Sequence, residues 1–133
     1  MAPVTTGEGV LHIGAETFVE GPSPSTRYAA VFEDDGDVAY FYALDIDRPG
    51  NRIVDAMHVY NAANVIDKDS PYILEIGWSE DGLNVGLYID RQLYALFDFQ
   101  SRRGYCRTGF GTANREWSLS DHSWSDIART LIG

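Results

Sequence analysis

The chain has 133 residues, 44% of them hydrophobic and 13% aromatic, enough for one core and too few for two. Twenty Asp and Glu against ten Lys and Arg give a formal net charge of −10. That balance argues against a nucleic-acid binder or a ligand of anionic membranes, because phosphate contacts come mainly from Lys and Arg.

Residues 10–13 and 17–19 read as two short strands around Gly14 and Ala15, and the Pro/Ser stretch 21–26 as a connector. Residues 27–32 are rich in aromatic and β-branched types. The Asp-Gly turn at 34–37 then leads into a return strand at 38–44, a hairpin because Asp-Gly supplies the positive φ that a tight turn needs. Residues 53–60 fit both a helical stripe and a strand, and read as an extended segment because Asn61 and Asn64 follow. Residues 72–78, 83–89 and 92–99 form a three-strand meander joined at 79–82 and 90–91. Leu83, Val85, Leu87 and Ile89 show the period of two of a half-buried strand.

Residues 100–115 hold four arginines, three glycines and Cys106 without a clean period. Near the end, Ser123 and Asp126 form an acidic variant of a capping box. Trp124, Ile127, Ala128 and Leu131 share one helical face. The expected fold is α+β: an antiparallel meander sheet of six or seven strands with a C-terminal helix, residues 123–132, packed on one face. The expected organisation is a single domain. A loosely patterned segment (1–26) and a hairpin-rich sheet (27–99) precede an Arg/Gly-rich loop region (100–122) and the helix.

One cysteine excludes an intrachain disulfide and fits a reducing compartment. The first twenty residues carry no basic leader or sustained apolar stretch, and no apolar run approaches the roughly 20 residues of a bilayer span. A cytoplasmic protein without a membrane partner is expected.

The charge is uneven. Residues 1–90 carry sixteen acids and four bases, whereas residues 91–133 carry four acids and six bases. Glu33, Asp34, Asp35 and Asp37 crowd one hairpin tip; turn chemistry explains the Asp residues, but Glu33 exceeds what a turn needs. Asp45 and Asp47 begin a stretch with a superficial calcium-loop spacing. Pro49 and Ala56 fall where that loop needs oxygen ligands, so it reads as a turn and no metal is assigned. Tyr40 and Tyr42 share one strand face and suit a contact surface beside carboxylates.

His12, His58 and His122 show no paired ligand spacing. His58, with Asp55 before it and Asn61 after it, reads either as an oriented base or as a buried, hydrogen-bonded histidine. Cys106 lies among Arg102, Arg103 and Arg107, cations that lower a thiol pKa. No base or oxyanion donor can be assigned to it, and burial as a small hydrophobe competes. The arginines suit either an anionic ligand or internal salt bridges.

The strings at residues 28–37, 40–45 and 53–61, Trp78-Ser79, residues 97–99 and Gly104-Tyr-Cys-Arg107 resemble a bacterial domain-of-unknown-function family of small acidic single-domain proteins, over roughly residues 27–110. The resemblance implies a bacterial protein and carries no activity, cofactor or catalytic residue.

Two functional classes follow. The first is a non-catalytic interaction module, such as an immunity or antitoxin-type inhibitor of a basic bacterial toxin. It would bind through Glu33, Asp34, Asp35, Asp37, Tyr40, Tyr42, Asp45 and Asp47, with charge steering the encounter. The second is an enzyme or small-ligand protein using Asp55, His58, Cys106 and Arg107, which requires those four groups to converge. A homodimeric or larger scaffold with a self-complementary tyrosine-bearing face is a third reading.

Overall fold

The computed structural model describes residues 3–65, 70–107, 124–125 and 127–132. The strands are β1 (Val4–Leu11), β2 (Thr17–Pro22), β3 (Tyr28–Asp34), β4 (Val38–Asp45), β5 (Ile53–Asn61), β6 (Tyr72–Trp78), β7 (Asn84–Ile89), β8 (Gln92–Asp98) and β9 (Arg103–Cys106), followed by helix α1 (Ile127–Ile132). The described strands form two antiparallel sheets, of order β1-β6-β7-β8-β9 and β2-β3-β4-β5. The expected single meander of six or seven strands is therefore corrected: the fold is sheet-dominated, with nine described strands in two sheets and one short helix.

The predicted hairpins form, because their turns are chemically specified. At the β3–β4 tip Gly36 has φ 102°, and Asp35 Oδ1 accepts the Asp37 and Val38 N–H groups at 2.9 Å each. At the β7–β8 turn Asp90 and Arg91 both take positive φ, 50° and 65°, as a two-residue hairpin loop requires. The ambiguous segment at 53–60 is strand β5. Gly21 and Pro22 belong to strand β2 rather than to a connector, and the Arg/Gly-rich region contributes β9.

The inner faces of both sheets make one core. Ala30, Phe32, Phe41 and Met57 of the four-stranded sheet meet Leu74, Ile76, Trp78, Leu87 and Phe97 of the five-stranded sheet. Tyr28 stacks on Phe99 with centroids 4.1 Å apart. The two ends of the interface are tied by cross-sheet bonds. Trp78 Nε1 donates to the Gly21 carbonyl at 3.1 Å, and the Cys106 thiol donates to the His58 carbonyl at 3.6 Å.

Helix α1 covers the other face of the five-stranded sheet, where Ala128 and Ile132 are buried with Leu93, Leu96 and Tyr105. Gly86 makes room for it: a Cβ there would lie 2.7 Å from Leu93 Cδ1 and 2.9 Å from Ile132 Cδ1. The expected packing of a C-terminal helix on an open sheet face is present, although its described helical span begins at Ile127, with Trp124 before it. The proposed cap residues Ser123 and Asp126 lie outside the described residues, as does His122.

Candidate functional site

Directly opposed residues in an antiparallel pair share a face, so the register of the four-stranded sheet defines the rows of its outer face, in which Val31, Ala56 and His58 are buried and the β2 side is exposed. One row runs Phe18–Glu33–Tyr40–His58 across β2, β3, β4 and β5. The next runs Glu20–Val31–Tyr42–Ala56. Phe18 is 59% exposed. The rings of Tyr40 and Tyr42 stack at 5.8 Å, and the Tyr42 hydroxyl donates to Glu33 Oε1 at 3.3 Å. Burial and the adjacent Glu33 carboxylate push the Tyr42 phenol up to about 12, so it is a neutral donor. Tyr40 also meets the His58 ring at 5.6 Å, and His58 Nε2 lies 2.9 Å from Asn61 Oδ1.

Toward the β3–β4 tip this surface deepens into a concavity of about 410 Å³ lined by Glu16, Thr17, Phe18, Glu33, Asp34 and Asp35. Asp35 is held below the usual carboxylate range by the Val38 and Asp37 N–H groups. Glu16, Glu33, Asp35 and Asp37 have no cation within ion-pair distance among the described residues.

The eight acidic and aromatic residues singled out from sequence do not form one surface. Asp34 is 1% exposed; its Oδ2 accepts the Tyr60 hydroxyl at 2.5 Å and the Gly14 N–H at 3.0 Å, and its Oδ1 accepts the Gly36 N–H at 2.8 Å. Burial, then the Asp34 hydrogen bond and charge, raise the Tyr60 phenol far above its ordinary value. Asp34 therefore ties the tip to the core instead of facing a partner. Asp45 lies at the far end of β4, about 23 Å of strand away from the tip. It is paired with Arg27 at 3.1 Å and also accepts the Asp47 N–H at 3.2 Å. Asp45 and Asp47 border a cleft with Arg27, Arg48 and Arg102, so their charge is offset by the chain's own guanidinium groups. Glu33, Asp35, Asp37, Tyr40 and Tyr42 remain together. Glu16, Phe18 and Glu20 join them, and β2 supplied their signal: its exposed Phe18 and Glu20 alternate with half-buried Thr17 and Val19.

The second constellation is dispersed. Asp55 opposes Ala43 on the inner face of β5, whereas His58 opposes Tyr40 on the outer face. Cys106 opposes Ala95 and joins the inner core, where burial pushes its thiol up to about 12. Its sulfur touches the His58 carbonyl, not the imidazole. Arg107 points away, its Nε donating to the Leu93 carbonyl at 2.7 Å and its guanidinium 4.4 Å from the Trp124 ring centroid. A nucleophile, base and cation arranged around one substrate atom are not what these four residues provide.

The family whose pattern matches is that of uncharacterized proteins conserved in bacteria, DUF2251, over residues 11–132. The chain belongs to the DUF2251 family. The DUF2251 match extends beyond the span 27–110 expected from the sequence resemblance and takes in strands of both sheets and α1. A Haemophilus influenzae protein, itself described as uncharacterized, is 42% identical over 79 residues, covering 59% of this chain. The chain spans about half, 49%, of that relative's length. No solved structure matches the chain. Among the described residues no group of three or more His, Cys, Asp or Glu is arranged to hold a metal ion, and no helix is long and apolar enough to cross a membrane.

Proposed function

We propose that the protein is a non-catalytic interaction module that receives a basic segment of another protein on the outer face of its four-stranded sheet. Inhibition of a basic bacterial toxin in the cytoplasm, of the immunity or antitoxin kind, is the biological form of this reading. The observation that supports it is the Phe18–Glu33–Tyr40 row with Glu16 and Asp35 beside it. Carboxylates that have no cation partner among the described residues surround an exposed ring and a tyrosine stack. Aromatic anchors ringed by charges are what an arginine-rich surface pairs with, since guanidinium groups take carboxylates in bidentate fashion and stack on tyrosine. A rigid sheet presents these groups with little ordering cost on binding.

The test is capture from a lysate of the source bacterium, followed by affinity measurement on the basic partner recovered. E33K/D35K is expected to weaken binding by at least about 100-fold. The charge-matched control E75K/E80K, on the other sheet and its β6–β7 turn, is expected to change mainly the association rate, by less than tenfold. Equal losses in both variants would reduce the acidic face to a general solubility charge, and recovery of no basic partner would remove the reading.

A further inference from the structure

A cleft on the opposite side of the molecule has the reverse electrostatic character. It measures about 540 Å³ and lies between the β7–β8 turn and helix α1, lined by Pro3, Tyr88, Arg91, Gln92, Leu93, Arg107, Arg129 and Ile132. In a chain of net charge −10, the charged residues of this lining are, among the described residues, Arg91, Arg107 and Arg129. None of the three has an ion-pair partner among the described residues. Arg27, by contrast, finds a carboxylate in Asp45.

One of the arginines has its guanidinium positioned by the fold, and the backbone places the other two. Arg107 is clamped by the bond from its Nε to the Leu93 carbonyl and by packing over Trp124, and its terminal amino groups take no hydrogen bond among the described residues. Arg91 is held at the hairpin tip by its left-handed backbone, φ 65°. Arg129 comes from α1, three residues before Ile132, whose side chain is fixed on the sheet above Gly86. The Arg107 guanidinium, set in advance, loses less freedom when it binds.

We propose that this cleft binds a small soluble phosphomonoester whose body is apolar. Three guanidinium groups match a phosphate dianion with three acceptor oxygens better than a singly charged carboxylate. Gln92 adds an amide donor to the lining. Pro3, Tyr88, Leu93 and Ile132 supply an apolar wall for the rest of the molecule, and a cleft of this volume is in the range that takes small ligands. Burial and the nearby Glu75 push the Tyr88 phenol up to about 12, so its hydroxyl stays a neutral donor. The site is independent of the acidic face, which lies on the other sheet.

Calorimetry of the full chain with phenyl phosphate, inorganic phosphate and benzoate tests the proposal. Phenyl phosphate is expected to bind with a dissociation constant below about 1 mM, inorganic phosphate more weakly, and benzoate at least tenfold more weakly. R91Q/R129Q, at two exposed positions, is expected to weaken phenyl phosphate at least tenfold while the circular dichroism spectrum and melting temperature stay unchanged. E16Q/E33Q on the far face is expected to leave it unaltered. Benzoate binding as tightly as phenyl phosphate, an R91Q/R129Q protein that binds normally, or no binding of phenyl phosphate at 5 mM overturns the assignment.

Discussion

Asp34 shows how one carboxylate changes meaning once its neighbours are fixed. In sequence it belongs to an acidic run at a hairpin tip, yet it has the same strand parity as Ala30 and Phe32, both core residues. That parity was the available signal, and the Asp-Gly turn pattern masked it. With three donors converging on a buried carboxylate, Asp34→Asn turns one acceptor into a donor facing other donors. It is expected to cost about 2–3 kcal/mol, and Tyr60→Phe about 1–2 kcal/mol, in urea denaturation. An Asp34→Asn protein within about 0.5 kcal/mol of the parent would return this residue to the exposed acidic set.

Cys106 is a second case. Its flanking arginines suggest activation, but the thiol lies in the core and burial raises it to about 12. A thiol that stays neutral in the folded state favours folding below its unfolded value near 8.5. That contribution falls as pH rises from there toward 12, so stability declines across this alkaline window. Iodoacetamide at pH 8 is expected to label Cys106 at least about 100-fold more slowly in the folded protein than in urea. Labelling at the unfolded rate would show the sulfur to be accessible.

At the scale of elements, hairpins were readable because a turn and its two strands are local: Asp35-Gly36 and Asp90-Arg91 each specify their own geometry. The division into two sheets was not. Alternation in a strand shows that one face is buried, not what buries it, and β1 pairs with β6 across more than sixty residues, as in Val4↔Trp78. Strand β9 was hidden by composition, since Arg103 and Gly104 begin it and only Tyr105 and Cys106 look like strand. The candidate site suffered the same loss: Tyr40 and Tyr42 were legible on one face of β4, but their neighbours Phe18 and His58 come from strands whose order the sequence does not state. The helix was legible from its apolar spacing, and its seat at Gly86 yields a direct test. Gly86→Val puts side-chain atoms where Leu93 and Ile132 already lie and is expected to cost about 1–3 kcal/mol. Ile132→Ala opens the same contact and is expected to cost about 2–4 kcal/mol. Both are read by urea unfolding. If each is neutral, α1 contributes little to the fold despite its buried face.

At the scale of the molecule, two sites of opposite charge can be placed among the described residues. The acidic tyrosine face lies on one sheet, the arginine cleft on the other, and packed sheets stand about 10 Å apart before their outer side chains are counted. That separation exceeds the Debye length of about 8 Å at physiological ionic strength. Occupants of the two faces are therefore expected to ignore one another in ordinary buffer and to couple when salt is withdrawn. Hexa-arginine peptide serves as the basic probe and phenyl phosphate as the anionic one. At 150 mM salt, saturating peptide is expected to change the phenyl phosphate dissociation constant by less than twofold. At 10 mM, where screening reaches about 30 Å, the bound cationic peptide is expected to tighten it by roughly two- to fivefold, because it offsets the negative field that the acidic face casts across the fold. Competition between the two probes at high salt would place both on one surface, and tightening that survives 150 mM salt would require a conformational link between the sheets instead of a field.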